Sequence, residues 1–179
     1  MLYAFGFDRL GLLISDMYFV NPAPAKGQEG PEHGVRLELR RLTPRELEGS
    51  IYSARPITID EPIWRADLLE SVDGRPGSFD RTHHHPRFYG WNESNRAFEA
   101  ELSADPIGWL GRKLSDLPSL LAHADVDPDT VGPGDLDGLP RAVPEILEVT
   151  RRLLDRVRAG ELGCRPVGAP ADNVRASWL

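Results

Sequence analysis

Hydrophobic and polar positions divide the chain into a strand-patterned first half and a helix-patterned second half. Tyr3, Phe5 and Phe7 alternate with smaller residues, the segment from Asp8 to Gly11 can turn the chain, and Leu10 to Val20 is apolar on both faces. Together these predict a hairpin with one central strand. Residues Asn21 to Gly34 carry the proline, glycine and charge content of a mobile loop. Beyond them Val35, Leu37 and Leu39 alternate with Arg36, Glu38 and Arg40, the period of an amphipathic strand. Ile57 and Ile59 open another extended stretch; Pro62 interrupts it, and Trp64, Ala66 and Leu68 continue with Arg65 and Asp67 facing the other way. Residues 71–78, SVDGRPGS, read as a turn, so His83 to His85 lie on the returning strand.

Helical spacing takes over after this point. Asp105 followed by Pro106 is a helix start, with Trp109, Leu110, Leu114 and Leu117 directed to the core, and Pro118 divides this helix from a shorter one. A third helix is expected from near Pro144, where Ile146, Leu147, Thr150, Leu153, Leu154 and Val157 form a stripe that Gly160 can close. The segment 161–179 lacks periodicity and is expected to be a loosely held tail behind one domain spanning 1–160. Strands preceding helices, with short turns between strands, predict an α+β fold: a mainly antiparallel sheet of about five or six strands, with the helices packed on one side.

Composition narrows the function. The 179-residue chain is 40% hydrophobic, enough for a packed core, and its formal charge of −7 argues against a surface that clings as a whole to nucleic acid or anionic lipid. A single cysteine, Cys164, allows no internal disulfide and no thiolate metal cluster. Asp8, Arg9 and Asp16 interrupt the first apolar segment, so neither a signal peptide nor a membrane span is expected, and a cytoplasmic location fits. Phosphate-loop, dinucleotide-binding and nucleophile-elbow motifs are lacking, and no cofactor is expected.

The chemistry-bearing stretch is Ser78 to Trp91, SFDRTHHHPRFYGW, which holds three of the five histidines. On a strand, Arg81, His83 and His85 share one face, while Thr82 and His84 take the other. A hairpin register that keeps Trp64 and Ala66 on the core side sets Ala66 opposite His84, Arg65 opposite His85 and Asp67 opposite His83. The expected site is therefore a histidine-arginine face for an anionic, phosphate-bearing small molecule or RNA. His83 and His85 would be its acid-base couple, Asp67 would orient an imidazole, and Arg81, Arg65, Arg87 and Tyr89 would bind the ligand. It extends to hydrolysis of a phosphodiester.

Two alternatives come from the same residues. His83 and His85 with Asp67 could hold a metal ion, against the opposing charge of the neighbouring arginines. The sheet could instead serve as a protein-interaction module through Phe88, Tyr89 and Trp91. Other candidates carry less. The acidic stretch Asp125 to Gly138 lacks the glycine and glutamate of a calcium-binding EF-hand loop and reads as an irregular connection. Arg151, Arg152, Arg156 and Arg158 suit the C-terminal end of a solvated helix.

Overall fold

Residues 1–46 and 56–168 are described by a computed structural model of the chain. Five antiparallel strands follow one another in space as in sequence: β1 (Leu2–Gly6), β2 (Leu10–Val20), β3 (Pro31–Pro44), β4 (Ile57–Ser71) and β5 (His83–His85). A two-stranded ribbon, β6 (Phe88–Tyr89) and β7 (Asn92–Glu93), separates this sheet from the helices α1 (Ala100–Ala104), α2 (Pro106–Ser115), α3 (Leu117–His123) and α4 (Pro133–Arg158). The α+β class follows from this arrangement. No helix among the described residues is long and apolar enough to cross a membrane.

The period-2 pattern decides which face of the sheet meets the helices. Leu12 and Ile14 of β2, Val35, Leu37 and Leu39 of β3, and Trp64, Ala66 and Leu68 of β4 are all buried in one cluster with Trp109, Leu110 and Leu114 of α2 and Ile146, Leu153 and Leu154 of α4. Each such aliphatic side chain contributes about 1.5–3 kcal/mol on leaving water. Pro62 does not end β4; the ladder to β3 shifts register around Arg40, which accommodates the residue lacking an N–H. The opposite face carries Arg36, Glu38, Arg65, Asp67, His83 and His85, and is polar.

Several element boundaries differ from their sequence pattern. β3 begins at Pro31, not Val35, and pairs Glu32 with Phe19 on one side and Ser71 on the other, so the connecting loop is confined to 21–30. The final helix starts at Pro133, eleven residues before Pro144, and runs through Pro140 and Pro144. Its start is fixed by Asp135, whose buried carboxylate accepts hydrogen bonds from the backbone N–H of Gly132 at 2.7 Å and of Leu10 at 3.0 Å. That tie to the β1–β2 turn offsets the missing proline donors, and it takes residues 133–138 of the expected acidic loop at 125–138 into the helix. At the C-terminal side, Leu162 packs against the core and the Gly163 N–H donates to Asp16, whereas residues 169–179 of the expected tail lie outside the described residues.

α2 and α3 follow the sequence pattern closely. Asp105 accepts from Gly108 N at 2.9 Å, Pro106 occupies the first turn, and the break before α3 falls at Asp116, two residues ahead of Pro118. Leu153, wholly buried in the sheet-helix core, gives a direct check of this packing. Leu153→Asp places an unpaired carboxylate there and should cost several kcal/mol, abolishing cooperative thermal unfolding; a variant melting like the parent would show that this face of α4 is not core.

Candidate functional site

β5 is only three residues long, yet it is bonded on both sides. The register to β4 sets His85 opposite Arg65, His84 opposite Ala66 and His83 opposite Asp67, and on the outer side His84 pairs with Ala97 through reciprocal backbone bonds of 3.0 and 2.8 Å. Alternation then sends His83 and His85 to the polar face and His84 to the helical face. All three are buried, as are Asp67 and Arg65.

Asp67 is the centre of the polar face. Arg36 of β3 grips it with two bonds, Nε to Oδ1 at 2.7 Å and Nη2 to Oδ2 at 3.1 Å, and Arg65 Nε adds a third to Oδ2 at 3.1 Å. Burial alone would raise the carboxyl pKa; the two guanidiniums and the hydrogen bonds overcome it and hold Asp67 ionised far below the usual carboxylate range. Arg36 was not among the residues expected at the site. Alternation in the sequence puts Arg36 on the polar face of β3, and the β3–β4 register then sets it opposite Asp67, with opposite sign.

The histidine tautomers follow from backbone geometry. His83 Nδ1 lies 2.8 Å from the carbonyl oxygen of Arg81, and His85 Nδ1 lies 2.7 Å from that of Ser94. A carbonyl only accepts, so each Nδ1 carries the proton and each Nε2 turns inward toward Asp67 Oδ2, at 3.4 Å for His83 and 3.9 Å for His85. His85 Nε2 accepts from Arg65 Nη2 at 2.9 Å. Burial, reinforced by Arg65, lowers the His85 pKa to about 4. His83 Nε2 is buried with no hydrogen-bond partner. That atom faces a carboxylate, an arrangement that calls for a proton or a metal ion between them.

The remaining expected residues go elsewhere. Arg81 bonds the carbonyl oxygens of Gly27 at 2.8 Å and Glu29 at 3.4 Å, and so anchors the loop between β2 and β3 instead of facing a ligand beside the imidazoles. Arg87 lies 3.5 Å from Asp125 and over the ring of Tyr89, which is exposed. The segment after β5 folds back over the cluster: Phe88 sits 6.3 Å from the His85 ring, Phe98 sits 5.5 Å from the His83 ring, and Glu93 bonds Arg65 at 2.5 Å.

On the helical face, His84 Nε2 donates to Glu99 Oε1 at 2.8 Å and the ring packs 5.1 Å from Trp109, whose indole N–H donates to Glu99 Oε2 at 2.8 Å. Burial lowers the His84 pKa. These residues border a cavity of about 520 Å³ shared with Trp64, Lys113 and His123. Neither His83 nor His85 lines it. Comparison with known protein families, with curated proteins and with solved structures finds no match for the chain.

Two measurements test the electrostatics. Asp67→Asn leaves Arg36 and Arg65 without their shared anion, and the loss should be about 3–5 kcal/mol, read as a lower denaturation midpoint. The pH profile carries a separate mark. His85 takes up its proton near pH 4 when folded but near pH 6.5 when unfolded, so the unfolded state binds more protons between those values. Stability should therefore fall as pH drops from about 6.5 to about 4, and His85→Gln should flatten that slope; an unchanged slope would place the titrating group elsewhere.

Proposed function

We propose that Asp67, His83 and His85 form a divalent metal centre whose co-ligand is an anion of the phosphate-bearing class. The observation that carries this is the inward convergence of two imidazole Nε2 atoms and a carboxylate oxygen, all within 4.8 Å of one another. Zinc ligands at about 2.0–2.2 Å from the ion stand roughly 3.3 Å apart in a tetrahedron, close to the 3.4 Å between His83 and Asp67. Each ring also donates its Nδ1–H to a backbone carbonyl, the second contact that metal-ligating histidines characteristically make. Two histidines and one carboxylate leave positions open on the ion, as catalytic zinc and non-haem iron centres require.

The arginines set the terms of binding. Arg65 has to give up His85 Nε2, and it retains Glu93 at 2.5 Å and Asp67 through its Nε. Arg36, Arg40 and Arg65 are matched by Glu38, Asp67 and Glu93, so the cluster is balanced before an ion enters. A divalent cation leaves an excess of two positive charges, which an oxyanion on the open positions offsets. Phosphate recognition by the arginines alone is less well supported: Arg81 is occupied by backbone carbonyls, and His85 is neutral at pH 7. With an anion on the metal, the ion would polarise a phosphoryl oxygen, and hydrolysis of a phosphodiester is the reaction class this favours.

A second function, docking of a protein partner, is favoured by the exposed rings of Tyr89 and Trp91 on the ribbon that covers the cluster. It uses residues other than the three ligands and is tested separately by Tyr89→Ala with Trp91→Ala, which should leave metal affinity unchanged.

Calorimetric titration with zinc and with phosphate decides between the two uses of the histidines. Expected are one zinc ion per chain, affinity that rises from pH 5.5 to 7.5 because ligation competes with protons, loss of at least about tenfold in affinity in His83→Ala and His85→Ala, and phosphate binding only after zinc. Phosphate bound without metal, and more tightly as pH falls, would overturn the metal centre in favour of a purely cationic anion site.

A further inference from the structure

A cost is concentrated at one corner of the polar face. Among the described residues, the buried side-chain atoms without a hydrogen-bond partner are both carboxylate oxygens of Glu32, Nε of Arg81, Nε2 of His83 and Nδ1 of His84. All but the last belong to residues on, or bordering, the face that carries Asp67. Glu32 is only 1% exposed, and its nearest cation, Arg96 Nη1, stands 4.0 Å away, too far for a hydrogen bond. A buried carboxylate with no donor at either oxygen is costly unless a proton or a cation accompanies it.

Strand parity places that carboxylate on the metal side. Arg36, which bonds Asp67, and Glu32 are four residues apart on β3, so their side chains leave the same face of the sheet. The residue between them on that face is Gly34, where a Cβ would collide with the carbonyl oxygen of Leu68. Along β3 no side chain separates Glu32 from the cluster, and on β4 the buried Leu69 stands opposite Gly34. Burial raises the Glu32 pKa, and the Arg96 guanidinium opposes the rise.

We infer that Glu32 is a fourth donor for the metal centre, its carboxylate turning along the polar face past Gly34 to join Asp67, His83 and His85. This deepens the metal assignment and rests on it. The three ligands bring one negative charge to a divalent ion, and a second carboxylate brings the first shell to neutrality, with the adjacent guanidiniums still drawing the oxyanion co-ligand to a fifth position on the ion. It also gives the orphaned oxygens of Glu32 and Nε2 of His83 a common partner. An oxygen-rich set of two carboxylates and two imidazoles suits zinc, cobalt(II) or iron(II) above thiophilic ions.

Cobalt(II) is the probe, because its visible absorption reports coordination. The full chain, stripped of metal with chelator, is titrated as wild type, Glu32→Gln and Glu32→Asp. Wild type should bind one cobalt with the strong absorption of a low-coordinate site. Glu32→Gln should bind on the order of tenfold more weakly or worse and with an altered spectrum, and Glu32→Asp should recover part of the affinity. In chelator, Glu32→Gln should melt no lower than wild type, since a neutral amide replaces an unpaired buried carboxylate. Unchanged affinity and spectrum in Glu32→Gln, with wild type binding cobalt, would overturn the role of Glu32 and leave the three-ligand centre standing. No cobalt bound by wild type would overturn both.

Discussion

One buried anion organises the polar half of this molecule. Asp67 is excluded from water in the middle of the sheet, and the desolvation of a carboxylate there is tolerable only with cationic donors in fixed positions. Arg36 supplies them from β3 and Arg65 from β4, while His83 and His85 close the circle from β5. Three strands are thereby tied at one level. A slip of one residue in any of them would carry an arginine or the aspartate into the apolar layer beneath α2 and α4, so the ion cluster and the hydrophobic face enforce the same register from opposite sides.

That double enforcement is why the histidine hairpin was legible in the sequence. Keeping Trp64 and Ala66 on the apolar side was enough to set Asp67 opposite His83 and Arg65 opposite His85, because side-chain direction in a strand has a period of two. What the sequence left open depended on neighbours distant in the chain. The partner of Asp67 on β3 needs the β3–β4 register, which the alternation of either strand alone does not set. Arg81 shares the parity of His83 but lies before β5, and the glycine-rich loop that claims it arrives from more than fifty residues away. The early start of α4 was hidden by Pro140 and Pro144; the Asp135 bonds to a turn at the other end of the chain are tertiary and leave no local pattern.

The three consecutive histidines do two kinds of work because they stand on a strand. His84 belongs to the helical side, where Glu99 takes its Nε2 proton and Trp109 packs on its ring. His83 and His85 present their Nε2 atoms to a carboxylate that already has three donors. Identical side chains thus take opposite tautomers, set by whether a backbone carbonyl or a carboxylate reaches each ring first. The tautomer, more than the clustering of histidines, distinguishes a site that can receive a cation from one that fixes a loop to a helix.

The cover over His83 and His85 is built from the same stretch of chain as the ligands. Residues 83–99 run from β5 through the β6–β7 ribbon and return beside β5, supplying Phe88, Glu93 and Phe98 to the polar face and Glu99 to His84. Because Ala97 is bonded to His84, moving Phe98 away from His83 strains the two backbone bonds that hold the outer edge of β5. Access to the proposed ion site and the anchoring of His83 and His85 are therefore mechanically linked. The ribbon is held through side chains: Glu93 pairs with Arg65 from a half-exposed position, Arg65 lies over the Phe88 ring, and Arg40 lies over the ring of Trp91. An opening confined to the ribbon, with Ala97 and Phe98 in place, would release Glu93 and Phe88 from the Arg65–His85 side. That is the side on which Arg65 would have to move for a cation to reach His85, so entry to the proposed centre would begin at the Glu93–Arg65 pair.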